Sequence, residues 1–180
     1  DHAMEDYFRL VTKEKVYEKT GIQFMQFNSL FQLAALKKAG CSALEAADKI
    51  LFVPDALMYM LTGETVCEYT ILSTSQFLDP RTKRIDPELI GAIGLDESMF
   101  GRYVNPSDRV GCLTPEVQEM TGLGAVPVVA VAGHDTGAAV ASIPASNPNF
   151  AYLSCGTWSL LGIEVKEAII NEKGFEYEFT

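Results

Sequence analysis

The sequence predicts an α/β protein, and three observations carry that reading. Helix start and stop signals punctuate the first third of the chain. A continuous apolar run, "AVPVVAVAG", ends on Gly133 and has the pattern of a strand buried on both faces. After a stretch rich in proline and asparagine, "FAYLSCGTWSLLGIEV" has the pattern of two strands around a tight Gly-Thr turn.

The helices come first. Thr12 is placed to cap a short helix from Lys13 to Lys19, which Gly21 stops. Asn28 or Ser29 opens a second, with Leu30, Leu33, Ala34 and Leu36 mostly on one face, Lys37 and Lys38 in its last turn and Gly40 at its end. Ser42 and Glu45 have capping-box spacing ahead of "ALEAADKI". Pro54 opens a further helix that Gly63 closes. In the middle of the chain, "EYTILSTSQFL" is rich in β-branched residues without clean alternation. Two Asp-Pro breaks follow, with a short helix after Pro87. "VNPSDRVG" is a loop, and Thr114 with Pro115 starts a helix ending at Gly122. Asp79, Asp86, Asp96 and Asp108 are expected in turns and caps. "TGAAVAS" can begin a helix after the apolar run, and Ile143 to Asn149 is the expected linker and domain boundary.

Composition narrows the function. The chain has 180 residues, 48% of them hydrophobic, which is enough for a core and unlike a disordered chain. A net charge of −10 argues against nucleic acid as a partner. No apolar run approaches the ~20 residues of a membrane-spanning helix, and residues 1–10 lack a signal-peptide pattern, so a cytoplasmic setting is expected. The four cysteines, Cys41, Cys67, Cys112 and Cys155, lie far apart with no CxxC, and there are two histidines, so no metal site is expected. Each cysteine is expected to be a small buried residue.

Two glycine sites carry the chemistry. In "GHDTG", Asp135 lies two residues beyond an apolar strand, where ligands bind in open α/β sheets. Its carboxylate suits a general base, a metal ligand or a helix cap. His134 on its own is expected to be a turn histidine with a local hydrogen bond. In "LSCGTWS", Gly156 lets backbone approach an anion closely and Thr157 can donate to a phosphate oxygen, although Gly-Thr also makes ordinary hairpin turns. Neither a Walker sequence nor GxGxxG occurs. Taken together, a carboxylate, a phosphate turn and a hinge between them match the needs of phosphoryl transfer.

"VPVVAVAGHDTGAAVAS" followed by "AYLSCGTWSLLGIE" resembles the core of the FGGY carbohydrate kinases, within the actin-like, ribonuclease-H-like ATPase superfamily. The histidine before the aspartate and "YLSxGTWSLxG" after it are most similar to the rhamnulokinase branch. "YEKTGIQFMQFNSLFQL" and "PDALMYMLTGETVCEYT" resemble the middle region of the same branch. The resemblance implies an α/β actin-like fold, with residues 1–143 as the C-terminal part of the first kinase domain and 148–180 as the first strands of the second. It implies a kinase using ATP and magnesium (Mg2+) to phosphorylate the 1-hydroxyl of L-rhamnulose, or another ketose or polyol. Asp135 matches the catalytic base, with His134 and Thr136 as its sugar-contacting neighbours. Gly156 and Thr157 match the residues on the ATP phosphates.

The family's Asp-Gly-rich phosphate turn and its later adenosine site are not found between Asp1 and Thr180. The resemblance therefore implies an internal, incomplete piece of the enzyme, expected to be inactive alone and prone to self-association. Two other classes remain: a non-catalytic actin-like regulator that binds sugar or nucleotide, which has no need of Asp135 as a base, and a metal-dependent hydrolase using His134 and Asp135, which lacks further ligands.

Overall fold

A computed structural model of the chain describes residues 2–180. Five helices come first: α1 (Ala3–Phe8), α2 (Lys13–Thr20), α3 (Ser29–Lys38), the single turn α4 (Ser42–Glu45) and α5 (Val53–Thr62). Strand β1 (Val66–Glu68) leads directly into α6 (Tyr69–Leu72), followed by β2 (Leu78–Asp79), β3 (Arg84–Ile85) and α7 (Pro87–Gly91). A 3₁₀ turn at Glu97–Met99 precedes β4 (Arg102–Val104) and β5 (Arg109–Cys112). Then come α8 (Pro115–Thr121), β6 (Pro127–Val129), α9 (Asp135–Ala141), β7 (Ala151–Cys155), β8 (Ser159–Ile163) and α10 (Glu172–Glu176).

The helix signals operate as expected at most ends. Thr12 accepts the Lys15 amide and Thr114 that of Val117, while Gly21, Gly63 and Gly122 take the left-handed conformation that closes α2, α5 and α8. The four aspartates are indeed turn and cap residues. Asp86 accepts from the amides of Glu88 and Leu89, Asp96 from Ser98, Asp79 from Arg81 and Asp108 from Asn105. At Ser42 the expectation fails. The cap position is Cys41, no side chain caps α4, and the segment makes one turn only. On α3 the buried residues are Leu30, Phe31 and Leu33, whereas Leu36 is exposed. Asn28 precedes α3 without a side-chain cap; its side-chain Nδ2 donates to Gln76 Oε1 (2.6 Å) and to the Gln23 carbonyl (3.0 Å).

Strands associate as pairs: β1 with β4 in parallel, and β2 with β3, β5 with β6 and β7 with β8 antiparallel. The larger core gathers Tyr7, Val16, Leu30, Phe31, Leu72, Phe77, Leu89 and Ile90. Within it the Tyr7 and Phe31 rings meet edge to face, and the Tyr7 hydroxyl donates to the Leu89 carbonyl (2.7 Å), so its one polar atom is satisfied. A smaller core of Met58, Val66, Val104, Val110 and Ala130 ties α5 to β1, β4, β5 and the end of β6.

The apolar run ending at Gly133 departs from expectation. Only Pro127–Val129 is a strand, it runs antiparallel to β5, and it is not buried on both faces. Ala130 is buried, but Val129 and Val131 are 48% and 71% exposed. One edge has β5 and one side faces α5; among the described residues no strand pairs with the other edge. The cysteines also divide: Cys67 is buried, Cys41 and Cys112 are half-buried, and Cys155 is exposed on a hairpin strand with little behind it. All four are free.

Residues 143–149 form neither helix nor strand, and all seven are exposed. Beyond the β7–β8 hairpin the chain returns to α2. Phe175 packs on Tyr17 and Phe24, and the Tyr17 hydroxyl donates to the Phe179 carbonyl (3.0 Å).

Candidate functional site

The site begins where β6 ends. After Ala130 the chain passes over the start of α6, and a Cβ built at Gly133 would lie 3.1 Å from both Glu68 Oε2 and Pro54 Cβ. That close approach is why glycine breaks the apolar run here. His134 is the residue before α9, without a side-chain cap, and Asp135 is the first helical residue. The helix-cap alternative for Asp135 therefore does not describe its place. The carboxylate is exposed, and its Oδ1 accepts the amide of the adjacent Thr136 (2.8 Å). The local hydrogen bond expected of His134 is made by its carbonyl, which accepts the Ala138 amide (2.9 Å). Its own amide donates to Thr70 Oγ1 (3.2 Å), 64 residues away.

The second glycine motif is a hairpin turn, as its pattern indicated. Cys155 pairs with Ser159 across Gly156, Thr157 and Trp158, and the Gly156 amide donates to the Trp158 carbonyl (3.0 Å). A Cβ at Gly156 would meet nothing within 4 Å, so the space in front of the turn is open. A cavity of about 220 Å³ lies between this turn and the start of α9. Asp135 and Thr136 line it on one side, Ser154, Gly156, Thr157 and Trp158 on the other, with Ala139 and Leu160 between. Four of the five residues singled out by the sequence thus share one cavity; His134 is not part of its lining.

Residues 2–141 match the N-terminal domain of the FGGY family of carbohydrate kinases. The chain belongs to that family. Among curated relatives, it is 57% identical over 178 residues to the rhamnulokinase of Bacteroides thetaiotaomicron, covering 99% of this chain and 37% of that protein. It is 41% identical over 180 residues to the rhamnulokinase of Oceanobacillus iheyensis, covering 100% of this chain and 38% of that protein. The chain therefore spans little more than a third of the length of these relatives. Among solved structures, the ligand-bound xylulose kinase of Lactobacillus acidophilus superposes with a TM-score of 0.80 at 18% identity, over 94% of this chain and 35% of that one. A carbohydrate kinase from Novosphingobium aromaticivorans gives 0.73 at 28% identity, over 89% and 35%. The fold is that of the actin-like sugar kinases, represented here by paired strands and the helices on them.

Glu68, Thr70 and Asp55 of this FGGY chain escaped the sequence reading. Glu68 is fully buried, and both carboxylate oxygens are engaged. Oε1 accepts the Thr70 amide (2.9 Å); Oε2 accepts the Thr70 hydroxyl (2.6 Å), the Ile71 amide (3.2 Å) and the Gly133 amide (3.0 Å). Asp55 is also fully buried, its Oδ1 accepting the Glu68 amide (3.1 Å) while Oδ2 has no partner. Burial pushes the Asp55 carboxyl up to about 6, with the Glu68 charge adding to the rise, against the lowering effect of the Glu68 and Phe52 amides. The available signal was the irregular "CEYTIL" stretch: a glutamate between a cysteine and a tyrosine, two positions before a threonine, in a run that is otherwise largely apolar.

Proposed function

We propose that this chain carries the sugar side of a ketose kinase that phosphorylates the 1-hydroxyl of L-rhamnulose with ATP. The observation that carries the reading is the cavity that Asp135 and Thr136 share with Gly156 and Thr157. The sugar assignment is supported by curated relatives named rhamnulokinase at 57% and 41% identity. Residues 1–143 are assigned to the first kinase domain and 148–180 to the start of the second, with the exposed 143–149 stretch as the hinge. The setting is cytoplasmic, where ATP is available; no helix among the described residues is long and apolar enough to cross a membrane.

In this reading Asp135 is the general base. Its carboxylate is open to the cavity, and it accepts the proton of the 1-hydroxyl as that oxygen bonds to the γ-phosphorus and the bond to the departing ADP oxygen breaks. Thr136 lines the cavity and contacts the sugar; a sugar contact for His134, outside that lining, is supported by the family resemblance alone. Thr157 has no hydrogen bond to its side chain among the described residues, so its hydroxyl is available to a phosphate oxygen. The open space at Gly156 admits that oxygen, although the Gly156 amide itself is committed to Trp158. The turn therefore fits a phosphate through the threonine hydroxyl rather than through the glycine amide.

Magnesium, when bound with the nucleotide, would offset the charge of the phosphates. Among the described residues no group of three or more His, Cys, Asp or Glu is arranged to hold it. A nucleotide-bound magnesium needs only one or two carboxylates beside the phosphates, and no step of the chemistry assigned to these residues passes through the ion.

The test is ADP formation by the complete polypeptide with L-rhamnulose and, in parallel, with other ketoses and polyols. Asp135→Asn is expected to lower kcat by about 10² to 10⁴ while sugar binding changes little. Retention of more than about a tenth of kcat would remove Asp135 as the base. A stronger response to a different acceptor would reassign the substrate.

A further inference from the structure

We propose that Glu68 and Thr70 are positioning residues for the reacting carboxylate, a clasp that fixes the Gly133–His134 backbone and through it the place of Asp135. The proposal rests on the assignment of Asp135 as the base. Asp135 has no interaction of its own that would set its position: it is exposed, and its hydrogen bond goes to the next residue. α9 buries no residue, and the strand before Gly133 is open on one edge. The two amides immediately before Asp135 are nevertheless both held, by side chains from one place. Gly133 N–H donates to Glu68 Oε2 (3.0 Å) and His134 N–H donates to Thr70 Oγ1 (3.2 Å).

The clasp is itself rigid. The Thr70 hydroxyl donates its proton to Glu68 Oε2 (2.6 Å), which leaves its lone pairs for the His134 amide. Glu68 is fully buried at the junction of β1 and α6, and its own amide donates to the buried Asp55. A local cap for the single turn α6 needs only the amides of Thr70 and Ile71. The bond to Gly133, 65 residues on, lies outside that local role. Gly133 completes the arrangement, because a side chain there would crowd Glu68 Oε2 and Pro54 at 3.1 Å.

The experiment compares Thr70→Val, which keeps the shape and removes the hydroxyl, with Thr70→Ser, which restores it, in the complete polypeptide. Amide hydrogen exchange is read at Gly133 and His134. The kcat is measured at saturating sugar, per folded molecule and well below the melting temperature. In Thr70→Val the two amides are expected to lose protection while those of β2 and β3 keep theirs, and kcat is expected to fall by about 10², the scale of an ångström-sized displacement of a reacting group. Thr70→Ser is expected to recover both. Wild-type exchange at Gly133 and His134 in Thr70→Val would overturn the clasp, as would wild-type kcat in that variant or failure of serine to rescue. Exchange does not depend on turnover. An active Asp135→Asn beside an exchange change in Thr70→Val would therefore count against the base assignment and with it against the positioning role, whereas an inactive Asp135→Asn beside unchanged exchange would count against the clasp alone.

Discussion

At the scale of single residues, Asp135 and Asp55 show how position decides what a carboxylate does. Asp135 is the first residue of α9; its Oδ1 accepts the Thr136 amide, and the exposed carboxylate lines the cavity. Asp55, in the first turn of α5, is fully buried with one oxygen unpartnered. Its folded value of about 6 lies above the ordinary 3.8, so between those values the folded state holds more proton than the unfolded chain. The stabilisation is present below pH 4 and lost as pH rises through 6. Asp55→Asn removes this titration. Relative to that variant, the wild type is expected to lose roughly 3 kcal/mol between pH 4 and 7, with Glu68 and the Cys67 thiol as its titratable neighbours. Urea midpoints at four pH values check it, and parallel curves for the two proteins would contradict it. Thr157 makes a different prediction, confined to function. Thr157→Val keeps the shape of the turn, and in the complete polypeptide it is expected to cost about 1 to 3 kcal/mol in kcat/KM for ATP, leaving sugar binding alone. Unchanged KM for ATP together with unchanged kcat would exclude the phosphate contact.

Among the elements, the ends of α2, α5 and α8 were legible because a cap side chain, an early proline or a left-handed glycine acts within a few residues. The β7–β8 hairpin was legible for the same reason: its signal is a glycine between two short apolar runs. β1, β2, β3 and β4 were not: β2 and β3 are neighbours in sequence but only two residues long each, and β1 and β4 span three residues each and are fixed by partners far along the chain. β1 pairs with β4 through Val66 and Arg102, 36 residues apart, and no alternation accumulates over three positions. The candidate site divides in the same way. Asp135 and Thr157 stand out beside glycines, while Glu68 and Thr70 acquire meaning only from Gly133 and His134. Gly101, also passed over, shows how closely β1 and β4 approach: a Cβ there would lie 2.5 Å from the Val66 backbone. Backbone cannot yield as a side-chain tip does, so Gly101→Ala is expected to cost about 3 kcal/mol, or roughly 6 to 12 °C in Tm for a chain of this size. A thermal melt within about 2 °C of wild type, a change worth less than 1 kcal/mol, would show that the strands separate more easily than this contact implies.

For the whole molecule, the distribution of burial matters more than the amount. The larger core lies within the first hundred residues, and α8, β6, α9, β7 and β8 contain no buried residue. Along both strands of the β7–β8 hairpin, exposed positions alternate with half-buried ones, and Leu153, Leu161 and Ile163 are 59%, 76% and 61% exposed. An isolated two-stranded hairpin is marginal in water, and an apolar one with open edges offers both a ladder and a sticky face to another chain. β6 adds a further open edge beside exposed Val129 and Val131. The net charge of −10 opposes association only over a Debye length of about 8 Å at physiological salt, and strand pairing at contact defeats it. The 180 residues made alone are therefore expected to self-associate through these edges, more strongly as salt rises, and to form no ketose-dependent ADP, since the Asp-Gly-rich phosphate turn that the family resemblance calls for is not among them. Sedimentation velocity at two salt concentrations with a coupled ADP assay checks both statements. Replacing Leu161, the most exposed of the three hairpin residues, with lysine places a charge on the sticky face, where it should shift the population toward monomer. A wild-type chain that sediments as a stable monomer at high salt would show that the open strands are protected by a packing of β6 and the hairpin tighter than their exposure indicates.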